Sequence, residues 1–366
     1  MARILVAANS SWNLRHFRGR QIRALVGAGH QVTTVSPDPD GVRCGDRQLP
    51  HKPWRMDRSG TNPFRQLALV RSLRKIIVEE RPNVLLGFTI KPNIYGCTVC
   101  RLLGIPAVPN VTGLGTAFLG GSAFRLVVVA MYRFAFARAR TVFFQNPDDE
   151  ALFLREGIVR PGQSRVLPGS GIDLAHFRPA ALPPEPRFLM IARLLGDKGV
   201  REYVDAARMI RARLPSARFA LLGELDRHNR SAVGEQELDA WVREGVIDYL
   251  GAVEDVRPAI GNSAAIVLPS YREGLPRTLL EGAAMGRPLI GADVPGCREL
   301  VRDGVTGFLC EARSAHSLAA AMERLAAMRP EERAQLGAAA RLLAEREFDE
   351  AIVTRAYLEI VESVPA

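Results

Sequence analysis

Residues 269–288 read PSYREGLPRTLLEGAAMGRP, and this stretch sets the architecture that we expect of the whole chain. An apolar run precedes it at 264–268 and another begins at its end, at 288–291. The pattern therefore predicts a buried strand, a tight loop, a helix and a second strand. Glu273 in the loop and Glu281 on the helix are separated by about 11 Å, or two helical turns, along the axis. That distance is too long for an acid and a base that share one proton, but it suits the two ends of one extended ligand.

The backbone between the two glutamates is suited to a phosphate group. The N–H groups of Gly274, Leu275 and the first helical residues open toward the positive end of the helix dipole. A diphosphate held there, with a carboxylate reaching hydroxyl groups on each side, describes a nucleotide sugar. Each glutamate alone also has an ordinary interpretation, in which Glu273 caps the helix and Glu281 lies on a solvated face.

Three motifs together resemble one family of enzymes. The stretch above resembles the E-x(7)-E signature of the retaining glycosyltransferases of family 4, which have the GT-B fold. Residues 191–199, IARLLGDKG, resemble the R-x(4)-K-G loop of that family, and residues 169–179, GSGIDLAHFRP, resemble its interdomain segment. The resemblance implies an α/β chain of two doubly wound parallel-sheet, Rossmann-like domains facing across a cleft, with a C-terminal helix that crosses back.

The hydrophobic pattern along the chain agrees with two domains. A length of 366 residues exceeds what one core usually holds, and the predicted strands and helices alternate in two series. We expect an N-terminal acceptor-side domain at 1–175, a Gly- and Pro-rich hinge at 176–186, a C-terminal nucleotide-sugar-binding domain at 187–348, and a terminal helix at 349–366 that packs on the first domain. The first turn lacks G-x-G-x-x-G, which argues against a dinucleotide-binding dehydrogenase.

The family resemblance implies roles for residues on the donor side. Catalysis is assigned to Glu273, Arg193 and Lys198, because a leaving diphosphate without a metal must be met by fixed cations and N–H dipoles. Glu273 is expected to contact the transferred sugar and Glu281 the ribose hydroxyls. Retention in this family is attributed to attack on the face from which the diphosphate departs, so no protein nucleophile is named. The amides of Gly274 and Leu275 are expected to face the diphosphate. The nucleobase is expected to lie against the backbone near Glu224 and near Val253 and Glu254.

Loops in the first half resemble those of bacterial surface-glycan transferases of family 4, which extend sugars on a polyprenyl diphosphate carrier. The resemblance rests on residues 89–96, TIKPNIYG, and residues 112–116, TGLGT. It implies a UDP-sugar donor, with an N-acetylhexosamine as the transferred sugar, and a lipid-linked sugar acceptor. The acceptor-side residues are expected to be Asn9, Ser10, Lys91, Thr112 and Gly113.

Two other classes of function remain open from the sequence. One is a nucleotide-sugar 2-epimerase or another GT-B enzyme acting on a nucleotide sugar, which would need acid and base groups flanking the sugar. The other is a nonenzymatic basic protein that binds membranes or nucleic acid. The predicted activity is that of a retaining, metal-independent hexosyltransferase of surface glycan biosynthesis. Incubation with the donor alone separates it from the epimerase, and UDP-dependent melting separates it from the nonenzymatic binder.

Charge is divided unevenly between the two halves of the chain. Residues 1–178 contain 25 Lys and Arg against 11 Asp and Glu, a balance of +14, while the whole chain carries +10. A basic half points to an anionic partner. No recognisable nucleic-acid-binding module is present, so we expect an anionic membrane surface and no nucleic acid. Trp54 beside a basic cluster indicates an interfacial loop. That cluster is Lys52, Arg55, Arg58, Arg65, Arg71 and Arg74.

The apolar runs set the expected location of the protein. The first run, at residues 4–8, is too short for a signal peptide and is typical of a buried first strand. No stretch reaches about 18 uninterrupted apolar residues, so we expect no transmembrane helix. The expected location is the cytoplasm, peripheral on the inner face of the cytoplasmic membrane.

No metal or other cofactor is expected. Asp38, Pro39 and Asp40 spell D-x-D, a metal-binding signature of a different glycosyltransferase architecture, but Pro39 and the following Gly favour a turn. Cys97 and Cys100 form a C-x-x-C pair without a second pair or a His cluster nearby. Packed structural thiols are therefore the expected role of that pair.

Overall fold

The computed structural model describes residues 1–44, 47–56, 63–114, 122–226, 229 and 231–364. Packing divides the chain into two compact units. The first comprises Met1–Gly171 with Glu350–Ala366, and the second comprises Ile172–Asp349. The exact domain boundaries expected from the sequence stay predictions.

Parallel strands form the centre of the first unit. The strands are β1 (Arg3–Ala7), β2 (Gln31–Ser36), β3 (Arg43–Cys44), β4 (Arg47–Gln48), β5 (His51–Pro53), β6 (Val84–Phe88), β7 (Ala107–Val111), β8 (Val142–Phe144) and β9 (Ser164–Val166). Seven of them form a parallel sheet in the order β5-β2-β1-β6-β7-β8-β9, and β3 pairs with β4 in a separate hairpin. The chain order reverses between β1 and β6, which pair in parallel from Ile4 with Val84 onward. This pair is the switch point, where open α/β sheets bind ligands.

Helices cover both faces of this sheet. They are α1 (Ser11–Gly27), α2 (Pro63–Glu80), α3 (Cys97–Leu103), α4 (Ser122–Phe136) and α5 (Pro147–Arg155). The core on one face contains α1, and the core on the other contains α2, α3, α4 and α5. Because both faces are covered, the inner strands are almost continuously apolar.

Helix α1 begins three residues earlier than the sequence pattern predicts. The sequence pattern predicts a polar turn at residues 9–13 and a helix over about 14–27, but Ser10 is the N-cap, and its hydroxyl accepts a hydrogen bond from the Asn13 N–H at 3.1 Å. The turn is therefore wrong for residues 11–13, because the Ser10 cap allows the helix to begin at Ser11.

The segment after β6 is helical, whereas residues 89–96 were predicted to be a loop. A π-helical turn spans Pro92–Gly96 and runs directly into α3. Thr89 has a φ of +72°, which turns the chain sharply at the end of the strand. The proline at the start of this turn has no N–H to leave unsatisfied, so it permits a helix that the sequence analysis did not expect.

The interfacial loop predicted around Trp54 is wrong. Trp54 is only 1% exposed, and its indole Nε1 donates to the Leu69 carbonyl and the Ser72 hydroxyl, both at 3.1 Å. The nearby Lys52 forms an ion pair with Glu80 at 2.9 Å. The indole ring can be buried under α2 because its N–H has hydrogen-bond acceptors inside the protein. Arg58 lies outside the described residues, and so does Asn62, which the sequence pattern predicts as the N-cap of α2.

The second unit repeats the doubly wound pattern. Its strands are β10 (Arg187–Ile191), β11 (Arg218–Leu222), β12 (Asp248–Tyr249), β13 (Ala265–Leu268), β14 (Leu289–Ala292) and β15 (Gly307–Cys310). They form a parallel sheet in the order β12-β11-β10-β13-β14-β15, with the switch point between β10 and β13. Its helices are α6 (Val200–Arg213), α7 (Glu235–Arg243), α8 (Arg257–Gly261), α9 (Arg277–Ala284), α10 (Ala315–Ala326) and α11 (Pro330–Glu347). Two doubly wound parallel sheets are thus confirmed.

The terminal helix belongs to the first unit, as expected. Helix α12 (Glu350–Glu362) follows the second unit in sequence but packs against α1. Its Tyr357 is buried, the hydroxyl accepts from Asn110 Nδ2 at 2.8 Å, and the ring packs on Phe88 and Phe143. This side chain joins the helix to the middle of the first sheet.

The thiols of Cys97 and Cys100 are free and buried, which confirms their packing role. Burial raises the pKa of the Cys100 thiol to about 12, so this group is a poor nucleophile or metal ligand near neutral pH. Within the described part of the chain, every helix is too short or too polar to cross a bilayer.

Candidate active site

The predicted donor-side residues gather at one edge of the second sheet. Each follows, or lies on a helix that follows, the carboxyl end of β10, β11, β12 or β13. They are Arg193 and Lys198 after β10, Glu224 after β11, Val253 and Glu254 after β12, and Glu273, Gly274, Leu275 and Glu281 after β13. Because β10 and β13 flank the switch point, this edge is where the fold favours a bound ligand.

The loop after β10 is fixed against the loop after β13. A short 3-10 turn, Gly196–Lys198, leads into Gly199, which has a φ of +75°. A Cβ at Gly199 would lie 2.3 Å from the Pro269 carbonyl oxygen, so only glycine fits. The Tyr271 N–H donates to the Asp197 carbonyl at 2.9 Å. These contacts hold the two motif loops side by side.

Lys198 and Glu273 form a direct ion pair. Lys198 Nζ donates to Glu273 Oε1 at 2.6 Å, and the two side chains are 21% and 14% exposed. A charge-assisted hydrogen bond in such a sheltered place is stronger than one at the surface. The groups expected to contact the diphosphate and the sugar are therefore one hydrogen bond apart, so their two binding positions must be adjacent.

Arg193 is held more loosely at the same edge. Its guanidinium donates to Asp226 Oδ2 at 3.0 Å, but the Arg193 side chain is 56% exposed. An exposed pair of this kind contributes little to stability. Arg193 can therefore leave Asp226 for an anionic ligand without a large loss.

Glu281 lies on the inner side of α9 rather than on a solvated face, so the ordinary interpretation of this residue is wrong. It is 8% exposed, and Arg277 Nε donates to its Oε1 at 2.9 Å. Burial raises the pKa of the Glu281 carboxyl above its usual value, although Arg277 acts in the opposite direction. A buried carboxylate with one protein donor has remaining acceptor capacity for a ligand hydroxyl.

The N-terminus of α9 is open to an anion. Its N-cap, Pro276, makes no side-chain capping bond, and its first turn contains no acidic residue. The positive end of the helix dipole is thus not neutralised by an acidic side chain in that turn. This end of α9 lies between Glu273 and Glu281 in sequence, where the diphosphate was expected.

Two features of this site are not predicted by the sequence pattern. Gly296 has a φ of +83°, and a Cβ there would lie 2.6 Å from the Gly274 carbonyl oxygen, so the loop after β14 packs directly on the Glu273 segment. Tyr271 donates from its hydroxyl to Glu202 Oε1 at 2.6 Å, and the Arg313 guanidinium lies 4.6 Å from the centre of its ring. The glycine after Pro295 was the available signal for the packing of this loop on the Glu273 segment. No local sequence pattern marks the contacts of Tyr271.

The residues expected near the nucleobase lie to one side of the switch point. Glu224, Val253 and Glu254 are exposed, on loops after the neighbouring strands β11 and β12. The Glu224 carbonyl accepts from the Leu194 N–H at 3.0 Å, which joins this loop to the one that bears Arg193. The contact of this backbone with the nucleobase stays a prediction.

The acceptor-side residues gather in the same way in the first unit. Asn9 and Ser10 follow β1, Lys91 follows β6, and Thr112 and Gly113 follow β7, so all five lie at the carboxyl edge around the first switch point. The hydroxyl of Ser10 is already used as the cap of α1. The last two residues of the TGLGT motif, Gly115 and Thr116, lie outside the described residues.

Several buried polar atoms at this edge have no hydrogen-bond partner within the described residues. They are Asn9 Oδ1, Thr89 Oγ1, Asn93 Oδ1 and Asn110 Oδ1. Thr89 is also β-branched with a positive φ, a strained conformation that concentrates at functional sites. Thr89, Asn93 and Asn110 were not predicted as site residues, because only the folded chain brings their atoms together.

The Asp38 segment is a turn, as predicted. Asp38 Oδ2 accepts from the Ser11 N–H at 2.5 Å, so this carboxylate supports the start of α1. In the part of the chain that the structure describes, no group of three or more His, Cys, Asp and Glu side chains is placed to hold a metal ion. Metal independence stays a prediction.

Two family models match the chain, one after the other. The Glycosyl transferase 4-like domain matches residues 15–169, and Glycosyl transferases group 1 matches residues 185–328. With the doubly wound sheets and the two motif loops, these matches identify the chain as a member of the family 4 glycosyltransferases of the GT-B fold. The activity is that of a hexosyltransferase.

Two bacterial glycosyltransferases are similar to this chain in sequence. N,N'-diacetylbacillosaminyl-diphospho-undecaprenol alpha-1,3-N-acetylgalactosaminyltransferase of Campylobacter jejuni is 26% identical over 383 aligned positions, which cover 99% of each chain. UDP-Gal:alpha-D-GlcNAc-diphosphoundecaprenol alpha-1,3-galactosyltransferase of Escherichia coli is 26% identical over 269 positions, which cover 69% of each. Both names describe transfer to a sugar on an undecaprenol diphosphate.

Solved structures share the fold. Sucrose-phosphate synthase of Thermosynechococcus elongatus superposes with a TM-score of 0.82 at 20% identity, covering 99% of this chain and 98% of its own. Alr3699/HepE of Anabaena, in complex with UDP and glucose, superposes with a TM-score of 0.78 at 18% identity, covering 99% and 100%. At these identities the likeness establishes the architecture alone.

Proposed function

We propose that this enzyme transfers an N-acetylhexosamine, with retention, from a UDP-sugar to a sugar on a polyprenyl-diphosphate-linked acceptor. The observation that carries the proposal is the meeting of Lys198, Glu273 and the open N-terminus of α9 at the switch point of the second sheet. The names of the two relatives support the lipid-linked acceptor. The process served is the synthesis of a surface glycan.

The donor-side geometry suggests how the reaction proceeds. As the bond between the sugar and the diphosphate breaks, negative charge grows on the diphosphate. Lys198, Arg193 and the N–H groups at the start of α9 stabilise that charge. Glu273 binds the transferred sugar and Glu281 accepts hydrogen bonds from the ribose hydroxyls. The acceptor hydroxyl attacks the face from which the diphosphate departs and passes its proton to an oxygen of that diphosphate. The sugar therefore keeps its anomeric configuration, and no protein group forms a covalent bond.

The acceptor-side proposal rests on the unpaired buried oxygens of the first unit. Asn9 and Thr89 each place one such atom at the carboxyl edge of neighbouring strands. Leaving a buried polar atom unsatisfied is unfavourable unless a ligand or water completes its hydrogen bonds. Sugar hydroxyl groups supply the donors that these oxygens lack. We therefore place the acceptor sugar against this edge.

A transfer assay with defined substrates tests the proposed function. The purified chain is incubated with a panel of nucleotide sugars, including UDP-N-acetylgalactosamine, UDP-N-acetylglucosamine and UDP-galactose, and a short-chain prenyl-diphosphate sugar. We expect a product only with a UDP-sugar, with the anomeric configuration of the donor by NMR, and unchanged rates in a chelator. An epimerised nucleotide sugar formed from the donor alone would support the epimerase instead. No effect of UDP on the melting temperature would argue for a nonenzymatic binder.

We further propose that the first unit docks on the anionic inner face of the cytoplasmic membrane. Apolar side chains are exposed at the start of two helices: Phe64 and Leu67 on α2, and Leu126 and Val127 on α4. Each helix is followed closely by the amino end of a strand, so both starts lie toward the carboxyl edge that bears the acceptor residues. Arg71, Arg74 and Lys75 are exposed further along α2. Apolar tips with nearby cations suit a lipid surface.

Membrane docking predicts a charge-specific loss of vesicle binding. Since each cation near an anionic surface contributes about 1 kcal/mol, Arg71→Glu/Arg74→Glu should lower binding to anionic vesicles more than about tenfold. Cosedimentation measures this, and binding by the parent should fall as salt rises. The control Arg243→Glu/Arg346→Glu makes the same change of charge in the second unit and should bind like the parent. Equal losses of vesicle binding in both variants would show that binding depends on the net charge of the protein and not on this surface of the first unit.

Lys91 tests the identity of the acceptor. If it contacts the acceptor's diphosphate, Lys91→Ala should lower transfer to a lipid diphosphate acceptor by about tenfold or more, the scale for one charged hydrogen bond. Slow hydrolysis of the donor in the absence of acceptor should change little. Both rates are measured on the same preparation. Equal effects on the two reactions would assign Lys91 to the donor side.

A further inference from the structure

A cavity of about 710 Å³ lies on the first unit, and its lining contains none of the donor-side or acceptor-side residues assigned above. It opens between α1 and the segment that joins β2 to the hairpin of β3 and β4. Pockets that hold small ligands have volumes of about 300 to 1,000 Å³. The lining includes Arg15, Gly19, Arg23, Asp40, Arg43 and Gln48.

One wall of this cavity is a face of α1. Arg15, Gly19 and Arg23 are spaced four residues apart, so they lie one above another on the helix. Arg15 is anchored, because its guanidinium donates to the Gly41 carbonyl at 3.1 Å. A Cβ at Gly19 would come within 3.2 Å of a guanidinium nitrogen of Arg23. The glycine therefore leaves room for that guanidinium beside the helix.

The other wall is the turn and hairpin after β2. Arg43 and Gln48 are paired across the hairpin, and Gln48 Nε2 donates to the Asp40 carbonyl at 2.7 Å, which fixes the turn. Among its described residues the lining has three arginines and one aspartate, a net charge of +2. Guanidinium groups brought together around one space repel each other, and a bound anion relieves that repulsion.

We propose that this cavity binds a phosphate-class anion such as an inorganic phosphate or a diphosphate. Guanidinium groups match phosphate oxygens with paired hydrogen bonds. Arg23 makes no hydrogen bond or ion pair with any described residue, so its donors are available. Helix α1, which bears Arg15, Gly19 and Arg23, begins directly after Asn9 and Ser10. The diphosphate of a lipid carrier and free phosphate present the same chemistry here.

Inorganic pyrophosphate is the probe for this site. Calorimetry is carried out on the full chain with saturating UDP, which occupies the donor site. We expect a binding event that Arg23→Ala weakens about tenfold or more. Asp40→Asn should strengthen it severalfold, because it removes the opposing charge. Arg138→Ala, a change of an exposed arginine elsewhere in the first unit, and Lys198→Ala at the donor site should leave it within about twofold.

Two results would overturn the site: no pyrophosphate binding in the presence of UDP, or equal losses for Arg23→Ala and Arg138→Ala. Competition then identifies the source of the anion. Displacement by a short-chain prenyl diphosphate at lower concentration than by orthophosphate assigns the site to the carrier, and equal displacement assigns it to free phosphate. The measurement needs no transfer reaction, so its outcome is separate from that of the proposed function.

Discussion

Arg193→Ala and Lys198→Ala should each lower turnover by about two to three orders of magnitude. This is the scale of loss when one fixed group that stabilises developing charge is removed. Both side chains follow β10 at the switch point, and without them the departing diphosphate would meet only the start of α9. Turnover is measured with saturating donor and acceptor, and the melting temperature verifies that each variant folds.

The ion pairs of the two residues supply the controls. Asp226→Asn removes the partner of Arg193 but keeps its cation, so turnover should stay within a few fold of the parent. Lys198 and Glu273 are joined at 2.6 Å, so Lys198→Ala combined with Glu273→Gln should lose less than the sum of the two single effects in free energy. Turnover of Arg193→Ala or Lys198→Ala within a few fold of the parent would remove that residue from catalysis.

The two glutamates should separate binding from chemistry. Glu281→Gln keeps the size of the side chain but weakens its hydrogen bonds to the ribose, so UDP affinity should fall about 10- to 100-fold. Glu273→Gln should leave UDP affinity nearly unchanged and slow transfer, because its partner is the sugar. Calorimetry with UDP and steady-state kinetics measure the two effects. The opposite pattern would place the ligand in the reverse direction along α9.

The stability of Glu281→Gln without ligand gives an independent check. Burial raises the pKa of Glu281, so the folded protein binds this proton more tightly than the unfolded chain does. The ionised carboxylate therefore lowers stability at neutral pH, and that loss is relieved as the pH falls through the raised pKa. With the buried charge removed, the variant should melt at or above the parent temperature without UDP and gain less when UDP is added. A fall of several degrees without UDP would make Glu281 a structural residue.

Long, strongly patterned elements were predictable from the sequence. The sequence pattern predicts a helix at 200–213 and strands at 84–88 and 107–111, and these are the bounds of α6, β6 and β7. The apolar residues of α6 follow the helical period, and the two strands are short, mostly apolar runs. Each of the three elements is bounded by Gly, Pro or polar residues. The grouping of the motif loops at carboxyl edges followed from parallel sheets, since every strand of such a sheet ends on the same side.

Features that depend on contacts between residues far apart in sequence were not predictable. Trp54 looked interfacial because the sequence gives no sign that its N–H reaches Leu69 and Ser72. The short edge strand His51–Pro53 was missed because three residues carry no period, and its pairing with β2 defines it. The bond between Lys198 and Glu273 joins residues far apart in sequence. It arises only because two neighbouring strands bring their following loops together.

The burial of Tyr357 against Phe88 and Phe143 has a consequence for synthesis of the protein. A ribosome releases Met1–Gly171 first, but α12, the helix that covers these rings, is made only after the entire second unit. Until then part of the first core stays open to water, exposed to chaperones and to premature association. The second unit is one continuous segment and can complete its packing while it emerges. The amino-terminal half of the molecule is therefore expected to mature last.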